Sequence, residues 1–248
     1  MKKTKLTWWA VLVWLLIWQL ASAAIHKEIL LVSPWRVLER LWQLAQQRFF
    51  WLSVAKTLGQ ISTGFLLATA AGILLAVLAA CCKPVEQLLA PLMITVKTVP
   101  VASFIILALI WFSSKNLSVL ISFLMVLPII YSHVLDGICE MDPGMLEMAR
   151  VFRIPWWKKL RYLYLPQILP FFRSGCTLAI GLSWKSGVAA EVIGMPRGTI
   201  GEHLQQAKVY LDTPDLFCWT VVIVLLSVIL EKTATALLRL TTKLSERM

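Results

Sequence analysis

Ionisable side chains interrupt two long apolar stretches of this sequence, and their types limit the chemistry they can do. Lys97 lies in ITVKTVPVAS, three residues before Pro100, while Lys185 and Glu191 lie in a later stretch, next to Trp184. At membrane depth such groups cost roughly 2.5–3.5 kcal/mol each to insert, and they usually line a cavity or form a pair. The two ammonium groups favour an anionic solute and the indole favours a planar one. These residues are therefore candidates for a solute pathway or its gate.

Internal pairing or snorkelling is the competing interpretation of the buried charges. Arg173 and Glu191 can extend towards water at opposite ends of their stretch. Lys97 is too central to do so easily, and Pro100 predicts a kink beside it. Lys185 and Glu191 are six residues apart, which is a poor spacing for a direct pair on one helix.

A basic block stands out near the centre of the chain, at residues 147–166, EMARVFRIPWWKKLRYLYLP. Its basic residues are Arg150, Arg153, Lys158, Lys159 and Arg161. Asp142 and Pro143 are typical of a helix start, and Pro155 predicts a helix end before a second short helix from Trp156 to about Tyr162. Met145, Met148, Ala149 and Phe152 form one apolar stripe on the first of these helices. By composition alone the block is a cytoplasmic anchor with interfacial tryptophans.

The composition places the protein in a membrane. The chain has 248 residues, 59% of them hydrophobic and 15% charged, with a formal net charge of +11. Soluble domains carry about 25% charged residues. The excess of Lys and Arg is better explained by the positive-inside rule than by nucleic-acid binding. We therefore expect an all-α membrane protein whose apolar surface contacts the lipid bilayer, with no nucleic-acid partner.

Six membrane-spanning helices are predicted. Their approximate ranges are 6–24, 53–80, 86–112, 117–137, 166–193 and 214–238. Residues 1–50 hold the first span and an external amphipathic helix begun by Ser33 and Pro34, residues 51–240 form the core with the loop 138–166, and residues 241–248 form a cytoplasmic tail. Ala21-Ser22-Ala23 resembles a signal-peptidase site, but the preceding run is long enough to span, so we expect it to be retained. Placing both termini inside puts twelve Lys and Arg residues inside against seven outside.

No constellation for catalysis or metal binding is recognisable. The five cysteines form no CxxC pair, and the three histidines have no ligand-like spacing. The chain has neither HExxH nor the phosphate-binding GxxxxGK[ST] pattern, so we expect no enzyme, no metal site and no ATP bound by this chain.

The basic block resembles the EAA loop of bacterial binding-protein-dependent ABC-importer permeases, whose pattern is E-A-A, three residues, G, nine residues, I, one residue, L-P. Glu147, Met148 and Ala149 fill the first places, and Leu165-Pro166 match in register. Arg153 stands where the family has Gly. Residues 57–112 and 181–220 are similar to the nitrate/sulfonate/taurine branch.

The resemblance implies a type I importer fold, an inner-membrane location and a mechanism. Such permeases pair in the membrane, and we expect a homodimer here. They bind two cytoplasmic ATPase subunits that hold ATP and Mg, while an extracytoplasmic binding protein delivers solute. The loop seats short coupling helices between spans four and five. The resemblance further implies that the following residues contact the ATPase and couple it to the permease: Met145, Glu147, Met148, Ala149, Arg150, Phe152, Arg153, Ile154, Pro155, Leu165 and Pro166.

Two questions stay open at this stage. An ion-gradient-driven transporter and a non-transporting scaffold are the alternatives, although the first usually shows more spans and inverted repeats. The candidate solutes range from sulfonates, taurine, nitrate and bicarbonate to pyrimidine or aromatic vitamin precursors.

For Arg153 we expect a helical φ and a contact of its own with an acidic ATPase group, because a left-handed backbone costs Arg roughly 1 kcal/mol or more.

Overall fold

The structure, a computed structural model, describes residues 8–25 and 30–245, and all regular secondary structure in these ranges is helical. The helices are α1 (Trp8–Ile25), α2 (Pro34–Ala45), α3 (Arg48–Cys81), α4 (Lys83–Thr98), α5 (Val101–Trp111), α6 (Leu117–Cys139), α7 (Pro143–Val151), α8 (Trp156–Lys159), α9 (Leu165–Gly194), α10 (Ile200–Val209) and α11 (Thr213–Ser245). A 3-10 turn at Ser114–Asn116 precedes α6. The all-α prediction is confirmed. The last helix runs past the predicted boundary at residue 241 to Ser245, and residues 246–248 lie outside the described ranges.

Among the described residues, three helices are long and apolar enough to cross a membrane, namely α3, α6 and α11. Helices α4 and α5 are too short to cross singly and reach sufficient apolar length only as a pair, and the chain bends by 107° between them. The other two predicted spans correspond to α1, a shorter apolar helix, and to α9, which has 30 residues. The total of six spans stays a prediction.

The third predicted span, 86–112, contains two separate helices and not the one kinked helix that was expected. Val99 and Pro100 both have extended backbone, with ψ of 133° and 135°, so α4 ends and α5 begins anew. Proline has no N–H to donate, and its ring disfavours a helical conformation in the preceding residue. Two consecutive residues therefore leave the helix, and the chain turns sharply.

Helix α6 lies at the centre, packed between α3 and α9 through glycines. A Cβ on Gly64 would come 2.5 Å from the Val119 carbonyl oxygen, and one on Gly175 would come 2.9 Å from the Cβ of His133. A Cβ on Gly187 would come 2.6 Å from a side-chain carbon of Ile61. Small residues let helix backbones approach closely where lipid supplies no hydrophobic drive between helices.

The helix termini lie at two opposite ends of the molecule, and polar contacts connect several of them at one end. At one end, called here the α10 end, the Gln60 side chain donates to the Lys115 carbonyl at 2.7 Å, and the Ile200 N–H donates to the Thr57 hydroxyl at 3.1 Å. This end holds α2, the starts of α3, α6 and α11, the end of α9 and α10 itself. Helix α7 follows the opposite end of α6, called here the α7 end.

The predicted amphipathic helix corresponds to α2. Ser33 is its N-cap and accepts from the Arg36 N–H, and Pro34 begins the helix. Its apolar side chains divide into a packed set and an exposed set. Val37 and Leu44 are buried, whereas Trp35, Leu38 and Trp42 are exposed. No described part of the chain covers the second set.

The glycine contacts of α9 generate a prediction with an internal control. Gly187→Ala should destabilise the fold by roughly 1–3 kcal/mol, because the methyl group overpacks the α3–α6–α9 contact. Gly181 lies on the same helix, and no heavy atom lies within 4 Å of the place its Cβ would take. Gly181→Ala should therefore be neutral, or stabilising by about 0.5–1 kcal/mol. Thermal unfolding in detergent measures both variants, and equal effects would contradict the close-packing argument.

Candidate functional site

Helix α7 is fastened to the start of α9. The Asp142 carboxylate accepts from the Gly144 N–H at 2.8 Å, which caps α7, and Pro143 follows in its first turn. The Asp142 N–H in turn donates to the Gln167 side-chain oxygen at 3.0 Å. The Gln167 amide nitrogen lies 3.6 Å from the Met145 sulfur. The side-chain amide of Gln167, on α9, therefore contacts both the N-cap residue and the first turn of α7.

The predicted apolar stripe of α7 is divided between two environments. Ala149 is 2% exposed and faces the protein, whereas Met145 and Met148 are about half exposed. Phe152 is 73% exposed and Val151, which the stripe did not include, is 78% exposed. Helix α7 thus presents an apolar surface that no described part of the chain covers.

Arg153 adopts the left-handed conformation, with φ of 49°. The expected helical φ was wrong. The Arg153 N–H donates to the Arg150 carbonyl and the Ile154 N–H donates to the Ala149 carbonyl, each at 3.1 Å. These two bonds form a Schellman motif, the usual end of a helix at glycine. The backbone therefore keeps the geometry that suits Gly, and Arg153 adopts it against its own preference.

The end of α7 and the return to the core also differ from expectation. The helix ends at Val151 because of the turn at Arg153, and Pro155 instead caps α8. A π-helical turn at Leu160–Tyr164 leads from α8 directly into α9, so Leu165 and Pro166 lie inside continuous helical backbone. The Leu165 N–H donates to the Leu160 carbonyl five residues back. Pro166 lacks an N–H, and the wide turn accommodates its ring.

The charged side chains of this surface are exposed. Glu147, Arg150 and Arg153 all face solvent, and among the described residues no ion pair joins Glu147 to Arg150. Lys158 and Arg161 extend the positive charge along the next turn. The surface is thus apolar at its centre and mainly positive at its rim.

Lys97 and Pro100 lie at the sharp bend between α4 and α5. Lys97 is exposed in the last turn of α4, and its ammonium group donates to the Ser132 hydroxyl on α6 at 2.7 Å. Pro100 is the N-cap of α5. The bend thus places a cation beside a helix start.

Trp184 and Lys185, the neighbouring candidates on α9, differ in how far they are buried. Lys185 is exposed on α9, whereas Trp184 is 2% exposed and its indole N–H donates to the Ile223 carbonyl of α11 at 3.2 Å. Trp184 borders a groove between α3, α9 and α11. The indole thus ties two helices together, and of the two neighbours only Lys185 presents its head group outside the packed interior.

Glu191 does not extend to water, which corrects the snorkelling interpretation. Its side chain is fully buried and accepts from the Thr57 hydroxyl at 2.9 Å, the Ser118 hydroxyl at 3.3 Å and the Gly201 N–H at 3.2 Å. These donors belong to α3, α6 and α10. Glu191 therefore holds four helices together at the α10 end.

Three polar residues of these sites were missed from the sequence. Gln167 directly follows Leu165-Pro166, and Ser132 and Thr57 lie within apolar stretches. Their hydroxyl and amide groups could have indicated a partner, because polar groups at membrane depth bond to other helices. Their partners are distant in sequence, so only the fold identifies them.

Comparison with known proteins agrees with this architecture. The family described as "Binding-protein-dependent transport system inner membrane component" matches residues 49–241. The putative aliphatic sulfonates transport permease protein SsuC of Bacillus subtilis is 29% identical over 161 residues, which cover 64% of this chain and 58% of that protein. The taurine transport system permease protein TauC of Escherichia coli is 26% identical over 90% of this chain and 82% of its own length. The formylaminopyrimidine transport permease protein ThiX of Halalkalibacterium halodurans is 26% identical over 87% of this chain and 86% of its own length. Since the family match covers most of the chain, this protein belongs to the inner-membrane permease components of binding-protein-dependent ABC transport systems.

Proposed function

We propose that this chain forms the solute pathway of an ATP-driven importer and that α7 is the helix through which separate ATPase subunits act on it. The observation that carries the proposal is the uncovered apolar surface of α7, formed by Met145, Met148, Val151 and Phe152. An amphipathic helix with a Met- and Phe-rich face suits a groove on a partner. The α7 end is then the cytoplasmic end, with both termini on that side.

The connections of α7 support a role in transmitting movement. Gln167 joins its first turn to α9, and the Schellman motif at Arg153 closes its last turn. Helical backbone then continues from Trp156 to Gly194. A displacement of α7 by an ATPase therefore reaches the α4–α5 bend through α9 and α6, since these helices are closely packed.

The proposed assembly follows the mechanism of the family. Two copies of this chain, each with six spans, pair in the inner membrane and bind two cytoplasmic ATPase subunits, which hold ATP and Mg. An extracytoplasmic binding protein delivers solute at the α10 end. The names of the relatives, which are permeases of transport systems, support these partners.

For the solute we propose a small anion or a planar pyrimidine-like compound. Relatives are named for aliphatic sulfonates, taurine and formylaminopyrimidine. The exposed Lys97 and Lys185 favour the anion, because ammonium groups bind sulfonate or carboxylate oxygens. Trp184 is buried, so planar recognition by its ring receives no support from the structure.

The first test removes the apolar surface of α7. Replacing Met148 and Phe152 together by Ala should weaken association with the ATPase by about tenfold or more, equivalent to roughly 1.4 kcal/mol. Co-purification from cells expressing both subunits and ATP hydrolysis in nanodiscs measure the effect. Trp35 and Trp42, which are exposed on α2 at the other end, supply the control when both are replaced by Ala. A wild-type chain that binds no ATPase would overturn the function, and uptake driven by an ion gradient would favour a secondary transporter.

The second test distinguishes the effect of the Arg153 side chain on ATPase binding from the effect of its backbone strain on stability. Arg153→Gly should leave thermal stability unchanged or raise it by about 1 kcal/mol, because glycine adopts the left-handed turn without strain. The same change should weaken ATPase association and reduce its salt dependence, because a charged contact is lost. Leu211 has a φ of 57° at the α10 end, so Leu211→Gly relieves similar strain without touching α7. Unchanged ATPase binding and hydrolysis in Arg153→Gly would contradict the contact.

The third test concerns the pathway. Lys97→Ala should lower solute uptake into proteoliposomes by about tenfold while leaving ATPase association unchanged, because the cation beside the α4–α5 bend is lost. Lys97→Arg should retain part of the transport, and Ser132→Ala removes the hydrogen bond while leaving the charge. Transport and coupling at wild-type rates in Lys97→Ala would exclude the pathway role.

A further inference from the structure

A second candidate site lies at the α10 end, apart from α7 and from the α4–α5 bend. A cavity of about 160 Å³ opens there between α3, α10 and the start of α11. This is several times the ~30 Å³ that a water molecule occupies in the liquid, so a side-chain head group fits. Phe49, Tyr210 and Trp219 supply aromatic walls, and Asp212 and Asp215 supply carboxylates.

The aromatic wall is held by stacking. The Trp219 ring stacks on His203 with centroids 5.0 Å apart and planes 10° apart, and on Phe50 at 5.2 Å. Phe49 lies against His203 at 5.4 Å. The Ser53 hydroxyl shares a 3.0 Å hydrogen bond with the His203 ring nitrogen Nε2. The cavity is therefore preformed.

The charge of the cavity is negative. Arg40 pairs with Asp215, its second nitrogen donating at 3.1 Å, and so neutralises one of the two carboxylates. Asp212 accepts from the Asp215 N–H at 3.2 Å through one oxygen. Burial lowers the pKa of His203, against the opposing effect of Glu202 and Asp215, so its ring adds no positive charge near neutral pH. One net negative charge faces aromatic surfaces, which is the environment that binds a guanidinium or ammonium group.

An exposed apolar tip adjoins the cavity at Tyr210, which also lines it. Val209, Tyr210 and Leu211 are 63%, 79% and 73% exposed. The tip is fixed by a second Schellman motif, with Leu211 left-handed and the Asp212 N–H donating to the Ala207 carbonyl at 2.9 Å. Consecutive exposed apolar residues on a rigid turn are typical of a protein-binding surface.

We propose that this cavity receives a basic side chain, Arg or Lys, of the extracytoplasmic binding protein, with the Val209–Leu211 tip packed around it. The inference rests on the proposed function for the existence of that partner. Asp212 attracts the cation, and the rings of Tyr210 and Trp219 cover its faces. The site thereby selects a binding protein whose docking surface carries a basic residue.

The first arm tests the cavity with a chemical probe. The purified chain with its ATPase, in nanodiscs, is titrated with Nα-acetyl-arginine amide, and binding is followed by saturation-transfer NMR. The uncharged isostere Nα-acetyl-citrulline amide should bind about tenfold more weakly. Asp212→Asn should abolish the difference and Asp212→Glu should restore it. Asp136, which is also exposed, lies on α6 at the other end, and Asp136→Asn should leave the difference unchanged.

The second arm tests the partner. The cognate binding protein should bind the Asp212→Asn transporter about tenfold more weakly than wild type, with a smaller loss at high salt. Equal binding to both transporters overturns the docking proposal while leaving the importer function intact. A binding protein that does not bind the wild-type transporter at all contradicts the proposed function itself. Failure of the arginine probe to discriminate overturns the cation site.

Discussion

The close approach of α3, α6 and α9 is the constraint on which the rest of the structure depends. Gly64, Gly175 and Gly187 leave no room for a Cβ at the contacts with α6 or α3. In a bilayer the helices gain little by hiding apolar surface from lipid, so association relies on close packing and on hydrogen bonds between helices. The three helices therefore form one rigid unit, and the peripheral helices are arranged around it.

That central packing also determines what the two ends can do. At the α10 end the buried Glu191 accepts from three neighbouring helices, so this end is held firmly around a single carboxylate. At the α7 end the attachment depends on Gln167 and on one capped turn. The exposed apolar surface of α7 is thus attached to α9 but is not covered by the described part of the core.

Left-handed residues other than glycine occur at both ends. Arg153 and Leu211 occupy equivalent positions in two Schellman motifs, and both carry their side chains on exposed surfaces. Glycine would form either turn with less strain. Strain retained at such positions is typical of functional sites, because the side chain is needed where the backbone is unfavourable. Met195, which ends α9 with a φ of 47°, shows that the same geometry also occurs beside the buried Glu191.

The sequence by itself determined the class, most helices and the candidate coupling segment, because hydropathy and capping act over short separations along the chain. Pro34 and Asp142 begin their helices as expected. Tertiary structure alone decided the 107° bend at Pro100, the left-handed Arg153 and the burial of Trp184 and Glu191. A proline indicates a kink but not its angle, and a side chain's environment depends on helices far away in sequence. The partners of Glu191 come from residues 57, 118 and 201, and only close helix packing brings them together.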